Sequence, residues 1–329
     1  MHLDARNLPE LQSYLLQKGW LNTNETIKTL EKPGEGNMNY TLRVKTDTRS
    51  FIIKQARPYV EKYPQIAAPA QRADVEGAFY EAVASNTTVR NFMPQLLGID
   101  PQHHVLALED LGAAKDFTFL YQPNQVLKPA EAEKLALYIK ELHQFSSQDT
   151  ASKPAIFANR EMRNLNHEHI FNYPFMEQNG FDLDTVTPGL QMISMGYKID
   201  LALKKRATDL GKLYLADGQY LLHGDYYPGS WLRTDTDIKI IDPEFCFYGP
   251  AEFDLGVMTA HLMMAKQSEE TIKMVYQAYG RVQNPILVDR FTGVEIMRRL
   301  IGLAQLPLSL SLLDKEELLE QAYELMMAS

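Results

Sequence analysis

Three short segments place acids directly beside apolar runs. His223-Gly224-Asp225 follows an apolar pair, Asp242-Pro243-Glu244 follows Ile240-Ile241 seventeen residues after Asp225, and Asp254 lies twelve residues beyond Asp242. Acids at the ends of buried runs are desolvated and repel one another, which raises their pKa values unless a cation offsets them. Mg²⁺ is the usual offset for hard oxygen ligands, and it carries phosphates well. Phosphoryl transfer asks for such a set: one carboxylate to orient the attacking hydroxyl and take its proton, and one or two more to hold metal. Asp225 fits the base, because Gly224 lets the chain turn sharply. Asp242 fits the first metal ligand, and Glu244, two residues on, points to the same side if the chain is extended. Asp254 either binds backbone amides and holds the catalytic loop or caps a helix beginning near Leu255. His223 reads as a hydrogen-bonded support, and Asp225 taken alone would be a turn residue.

A second constellation precedes these. Gly34-Glu35-Gly36-Asn37-Met38-Asn39 joins two strand-like segments. Its glycines permit tight turns and turn amide hydrogens toward phosphate oxygens, so Gly34, Gly36, Asn37 and Asn39 are candidate nucleotide contacts. The run lacks the third glycine of the dinucleotide fingerprint and the GK[ST] ending of the P-loop, and in isolation a plain hairpin turn is the better explanation. Lys54 adds to it. It sits in the apolar run Phe51-Ile52-Ile53-Lys54, where an unpaired ammonium is costly to bury. ATP phosphates would answer it, with Glu76 of the following helix as partner and Glu81 as the alternative; an edge-strand lysine facing solvent is the plainer reading. Leu106 to Gly112 follows, where main-chain groups of Glu109 and Leu111 could read an adenine edge.

The elements that must position these groups fall into two blocks. Residues 27–30, 40–46 and 50–56 read as strand, glycine turn, strand, polar turn, strand, an antiparallel meander. A helix is expected at 9–18, a Pro-rich loop at 60–72, a helix at 74–85 and strands at 95–99 and 105–109. The first lobe would end near Asp110, giving a nucleotide-binding lobe over 1–110 and a catalytic, acceptor-binding lobe over 111–329. From Pro129 the pattern turns helical, with helices expected at 199–214, 255–266, 271–279, 293–306 and 315–327. The expected class is α+β: a small antiparallel-sheet lobe, then a larger, mostly helical lobe, with a ligand cleft as the default between them.

The composition bounds the function. Of 329 residues, 45% are hydrophobic and 23% charged, as in an ordinary globular chain, and the formal net charge of -9 argues against a nucleic-acid partner. The single cysteine, Cys246, can build neither an internal disulfide nor a Cys-based zinc site, which suits a reducing compartment, the cytoplasm by default. The first twenty residues carry acids and no long apolar run, so no signal peptide is expected there, and no apolar stretch suggests a membrane helix.

With these residues in place, the chain resembles the methylthioribose kinase branch of the aminoglycoside phosphotransferase and choline kinase superfamily. The resemblance rests on GEGNMN, IIKQARPYV, LEDL, HGDYYPGS, IIDPEFCFYGPAEFDLG and EIMRR. It implies a protein-kinase-like bilobal fold, ATP as donor and Mg²⁺ as cofactor. It implies Asp225 as catalytic base, Asp242 and Glu244 as metal ligands, and the Lys54–Glu76 pair on the phosphates. Ser230, where the superfamily often has asparagine, joins the metal set. The tandem arginines that members use on a sugar match Arg298 and Arg299; read from the residues alone, Arg298 could equally pair with Glu295 within its helix. The chain departs from the usual HGDLHTGS of methylthioribose kinases: Tyr227 replaces the second histidine and Pro228 a threonine, which changes the rim of the acceptor pocket. Tyr226 and Tyr227 could instead pack an amphipathic or cationic acceptor. The expectation is an ATP-dependent kinase acting on a small hydroxyl acceptor, methylthioribose or a related sugar, with an amino-alcohol or aminoglycoside kinase as alternative. The resemblance also allows a homodimer. The rivals are a metal-dependent phosphohydrolase, using His223, Asp225, Asp242, Asp254 and His261, and a catalytically silent nucleotide-binding protein.

Overall fold

Alternation decides the first block. In the strand Ser50–Gln55, Phe51 and Ile53 are fully buried on one face, and Lys54 points to the other. The computed structural model describes residues 1–34, 38–148 and 153–328. Contacts divide it into two compact units, Met1–Ala114 with Thr234–Cys246, and Lys115–Arg233 with Phe247–Ser329.

The first unit is built on a five-stranded antiparallel sheet. Its strands are β1 (Ile27–Glu31), β2 (Tyr40–Thr46), β3 (Ser50–Gln55), β6 (Leu96–Asp100) and β7 (Val105–Glu109), in the order β1-β2-β3-β7-β6. β3 is therefore central, with Lys54 opposite Thr41 on one side and Leu106 on the other. Helix α1 (Leu8–Gln17) contributes Leu11, Tyr14 and Leu15 to a core with Leu42, Val44, Phe51, Ile53, Val105 and Ala107. Helix α2 (Arg72–Val83) sits so close to the sheet that a Cβ on Gly77 would come 2.7 Å from Ile99 Cδ1. The expected Pro-rich loop holds a short hairpin, β4 (Tyr59–Val60) paired with β5 (Tyr63–Ala67). A five-residue helix, α3 (Thr87–Asn91), follows α2. The sequence boundary near Asp110 leaves the rest of the chain in one lobe; the contact division differs by returning Thr234–Cys246 to the first unit. The backbone explains why: the Ile240 amide donates to the Phe92 carbonyl at 2.6 Å and Lys239 Nζ to the Asn91 carbonyl at 2.8 Å.

The second unit is mostly helical: α4 (Pro129–Gln148), α5 (Arg160–His167), α6 (Leu190–Ile199), α7 (Leu201–Leu215), α8 (Glu252–Met264), α9 (Glu269–Tyr279), α10 (Pro285–Ile301) and α11 (Leu312–Met327). A core cluster of this unit joins Tyr214, Phe247, Phe253, Phe291, Leu300 and Leu319. Strand Tyr220–Leu222 pairs antiparallel with Phe247–Gly249 and leads straight into His223-Gly224-Asp225. The caps explain where expectation slipped. α10 starts at Pro285, eight residues before the expected 293, because Asn284 accepts the Leu287 amide and Pro285 takes the first turn. Asp200 caps α7 by accepting from Ala202 and Leu203, so the helix expected from 199 is split from α6. α11 opens on a reciprocal Ser311–Asp314 capping box. Among the described residues no helix is long and apolar enough to cross a membrane.

Candidate active site

In the first unit the chemistry gathers around Lys54, which is 5% exposed. Its Nζ lies 2.6 Å from Glu76 Oε2 and 2.6 Å from Asp242 Oδ1. Burial alone would strip the proton from this lysine, but Asp242, Glu76 and Glu244 outweigh it and hold the ammonium above the usual lysine range. Glu76 is fully buried on α2, whereas Glu81, the alternative partner, is exposed on the same helix. Asp242 adopts the left-handed conformation at φ 62°, one that aspartate tolerates, and its side chain is 47% exposed. Glu244 is buried, accepts from Asn39 Nδ2 at 2.8 Å and lies 3.4 Å from Arg72 Nε. Two cations, Lys54 and Arg72, thus meet three carboxylates.

Burial pushes Glu76 up to about 8 against the pull of Lys54. The open Asp242 carboxylate, with Glu244 two residues on, fits Mg²⁺, which takes one or two carboxylates and fills its octahedron with water and phosphate oxygens. No group of three or more His, Cys, Asp or Glu side chains among the described residues could hold a metal alone. Gly36 and Asn37 lie outside the described residues; Gly34 is exposed beside them, and a cavity of about 460 Å³ is lined by Lys32, Gly34, Asn39, Thr41 and Glu61. The Glu109 amide donates to the Gln95 carbonyl at 2.9 Å, its carboxylate accepts the Gln95 amide, and Leu111 follows half-buried.

In the second unit the centre is Asp225. Asp254 accepts the amides of His223 (2.7 Å) and Gly224 (3.0 Å) and contacts His143 Nε2 at 3.2 Å. It lies inside α8, past the N-cap position at Ala251, so its carboxylate ties down the 223–225 loop instead of capping the helix. His223 is fully buried, and its Nδ1 lies 3.4 Å from the Asp225 amide. Ser230 Oγ donates to the Asp225 carbonyl at 3.0 Å. Asp225 Oδ1 faces Arg299 Nη2 at 3.5 Å and Arg298 Nη1 at 3.7 Å. Asp225 Oδ1, Arg298 Nε and Arg299 Nη2 are buried and make no hydrogen bond among the described residues. Burial pushes the Asp225 carboxyl up, against the pull of Arg298 and Arg299.

Behind the arginines lies a group that sequence reading held only as an alternative. Glu295, 1% exposed, accepts Arg299 Nε at 2.6 Å and Arg298 Nη1 at 3.1 Å while Arg298 also faces Asp225, so the intrahelical pair and the site role coexist. Burial would raise Glu295, yet the two guanidiniums hold it below the usual carboxylate range. His261 Nε2 lies 3.1 Å from Glu295 Oε1 and its Nδ1 2.7 Å from the Tyr121 hydroxyl. Burial, aided by the arginines, pushes His261 down to about 4. The neutral ring therefore donates from Nε2 to the carboxylate and accepts from Tyr121 at Nδ1. Tyr227 places its ring 5.0 Å under the Arg299 guanidinium and 5.3 Å from His261. A further cavity of about 900 Å³, between α8, α9, α10 and α11, contains none of these residues.

Residues 29–289 match the phosphotransferase enzyme family. A methylthioribose kinase of Pectobacterium atrosepticum is 30% identical over 264 residues, which cover 76% of this chain and 64% of that protein. The chain therefore spans less than two thirds of that relative. Among solved structures, choline kinase from Cryptosporidium parvum aligns with a TM-score of 0.60 at 15% identity, over 97% of this chain and 96% of its own. Spectinomycin phosphotransferase, in complex with ADP and spectinomycin, aligns at 0.54 with 16% identity over 100% and 99%. These likenesses bear out the expected bilobal, kinase-like fold.

Proposed function

The chain belongs to the phosphotransferase enzyme family, and from that premise we propose that it transfers the γ-phosphoryl group of ATP to a hydroxyl of a small acceptor, methylthioribose or a related sugar first. The observation that carries the reading is Lys54, buried on a central strand and held at 2.6 Å by both Glu76 and Asp242. A cation so enclosed has little structural use and suits phosphate oxygens. Mg²⁺, when bound, would be held by Asp242 and Glu244 and would neutralise charge on those oxygens. Residues 34–39 and Lys54 bind the donor, and Glu109 and Leu111 offer main-chain groups to the adenine.

In the second unit, Asp225 orients the acceptor hydroxyl and takes its proton. The unused hydrogen-bonding atoms of Asp225, Arg298 and Arg299 supply one acceptor and two donors around a hydroxyl-bearing ligand. Two guanidiniums there favour a neutral or anionic polyol over an amino alcohol or aminoglycoside, whose cations they repel. The hydrolase reading is weaker, because Asp254 is occupied by backbone amides. The reading places the protein in the cytoplasm, where ATP is available, and keeps Cys246 as a buried thiol.

An ATP-consumption screen with Mg²⁺ against methylthioribose, related sugars, amino alcohols and aminoglycosides tests it. Asp225→Asn should cut kcat by about 10²–10⁴ with little change in ATP affinity, the range for losing a general base. Unchanged turnover in that variant sinks the assignment, and phosphate release that outpaces transfer to every acceptor favours hydrolysis.

A further inference from the structure

Arg72 opens helix α2 with 0% exposure. A guanidinium brings five N–H donors and keeps its charge, so burying it is costly unless the donors are answered. Here the acceptors come from four stretches of chain. Nε donates to Asn39 Oδ1 at 2.9 Å; Nη1 donates to the carbonyls of Arg57 (2.8 Å) and Pro69 (2.9 Å). Nη2 donates to the carbonyls of Met38 (2.7 Å) and Tyr59 (3.2 Å), and Glu244 Oε2 lies 3.4 Å from Nε.

The Asn39 amide is held in one orientation by this arrangement. Its oxygen accepts a hydrogen bond from Arg72 and its nitrogen donates one to Glu244 at 2.8 Å, so reversal would set donor against donor and acceptor against carboxylate. Met38 and Asn39 are the first described residues after the glycine turn, immediately before β2. One planar fork therefore grips Met38 and Asn39 and lies against Glu244, more than 200 residues beyond Asn39 in sequence. A fold-stabilising arginine needs only its carbonyl acceptors; the Asn39–Glu244 arm is additional.

We propose that Arg72 is a positioning residue that, through Asn39, sets the Glu244 carboxylate in register with the Met38–Asn39 backbone before nucleotide binds. This rests on the reading of Glu244 as a metal ligand. Arg72 touches neither nucleotide nor metal in this scheme; its fork geometry is what matters, so a lysine cannot replace it.

The test uses the full chain and Mn²⁺ as probe. Free Mn²⁺ is measured by electron paramagnetic resonance in the presence of ADP, for the native protein, Arg72→Lys and Asn39→Ala, each with a thermal melt. Losing an outer partner of a metal ligand weakens metal binding about 10–100-fold, and both variants should fall in that range. Asn39→Ala keeps every carbonyl bond of Arg72; with its ADP affinity measured without Mn²⁺, which separates any lost nucleotide contact at Asn39 from a lost metal ligand, it decides the matter even if Arg72→Lys folds poorly. KM for the acceptor should stay within about threefold, since the acceptor groups belong to the other unit; a purely structural loss would not separate the two substrates. Unweakened Mn²⁺ binding in a folded Asn39→Ala overturns the proposal. If the native protein itself holds no Mn²⁺–ADP, the kinase reading fails, and this inference with it.

Discussion

Glu295→Gln is the sharpest perturbation of the second unit. The carboxylate is 1% exposed and accepts from Arg299 Nε at 2.6 Å, Arg298 Nη1 at 3.1 Å and His261 Nε2 at 3.1 Å. The substitution keeps the shape and one oxygen but removes the charge that balances two guanidiniums, themselves only 7% and 5% exposed. Removing one member of a buried ion cluster costs about 3–5 kcal/mol, because the remaining charges stay buried and unopposed. For a unit of this size each kcal/mol moves Tm by about 2–4 °C, so a drop of roughly 6–20 °C is expected. A second readout follows from the charges. Glu295 now pushes the Asp225 carboxyl up; without it the arginines draw that carboxyl down, and the acid limb of kcat/KM against pH shifts to lower pH. The combined change Glu295→Leu, Arg298→Met, Arg299→Met should regain most of the lost stability, as apolar replacement of a whole buried cluster does, while abolishing activity through loss of both arginines. Scanning calorimetry and a pH–rate profile on the native protein and both variants measure all three. A Tm drop under about 2 °C with an unmoved acid limb would refute the reasoning, since Glu295 could not then be holding the arginines.

His261 gives a pH test of stability. Its folded pKa, about 4, lies below the ordinary 6.5, so the native state binds fewer protons than the unfolded chain between those values. The stability it contributes is present above pH 6.5 and is lost as pH falls toward 4, about 3 kcal/mol in all. Denaturant titrations of His261→Gln should show a flatter fall over that window; an identical slope contradicts the buried neutral ring. Gly229→Ala tests the aromatic rim, because a Cβ there would run into the Tyr227 ring and hydroxyl. Moving that ring from under Arg299 should raise KM for the acceptor several-fold and leave ADP binding unchanged; an unaltered acceptor KM dismisses Tyr227 as a substrate contact.

The readable parts of this protein are those where one residue's chemistry conflicts with its neighbours. Lys54 in an apolar strand run and acids beside Ile240-Ile241 announce themselves, because each is costly where it stands. The five strands of the main sheet were legible from alternation and the longer helices from spacing, but not α3, α5, α6 or the β4–β5 hairpin, nor the helix starts, which Asn284 and Asp200 set through cap bonds. Arg72 was not legible at all. Four of its acceptors are main-chain carbonyls, and a carbonyl leaves no mark on a sequence. The Tyr121–His261 bond joins residues 140 apart, and the return of Thr234–Cys246 to the first unit is a long-range packing choice; neither has a local signal.

The two clusters share a plan that bears on how such a site is kept ready. Each has an inner carboxylate sealed from water, Glu76 at 0% and Glu295 at 1%, and an outer one left accessible, Asp242 with 47% of its side chain exposed and Asp225 with 19%. Cations are packed against each inner acid, which fixes where they point: two guanidiniums hold Glu295 below the usual carboxylate range, while burial pushes Glu76 up to about 8 against the pull of Lys54. The outer acid meets the same cations and stays free to exchange them for a ligand. Were the order reversed, with the exposed acid gripping the cation, every binding event would first have to break the pair that positions it. Fixing the cation from behind means that phosphate or acceptor oxygens meet charges already aimed, and the reorganisation cost falls at folding instead of at the reaction. By this logic substitutions at Glu76 and Glu295 should act on stability and affinity together, whereas those at Asp242 and Asp225 should act on turnover with the fold intact.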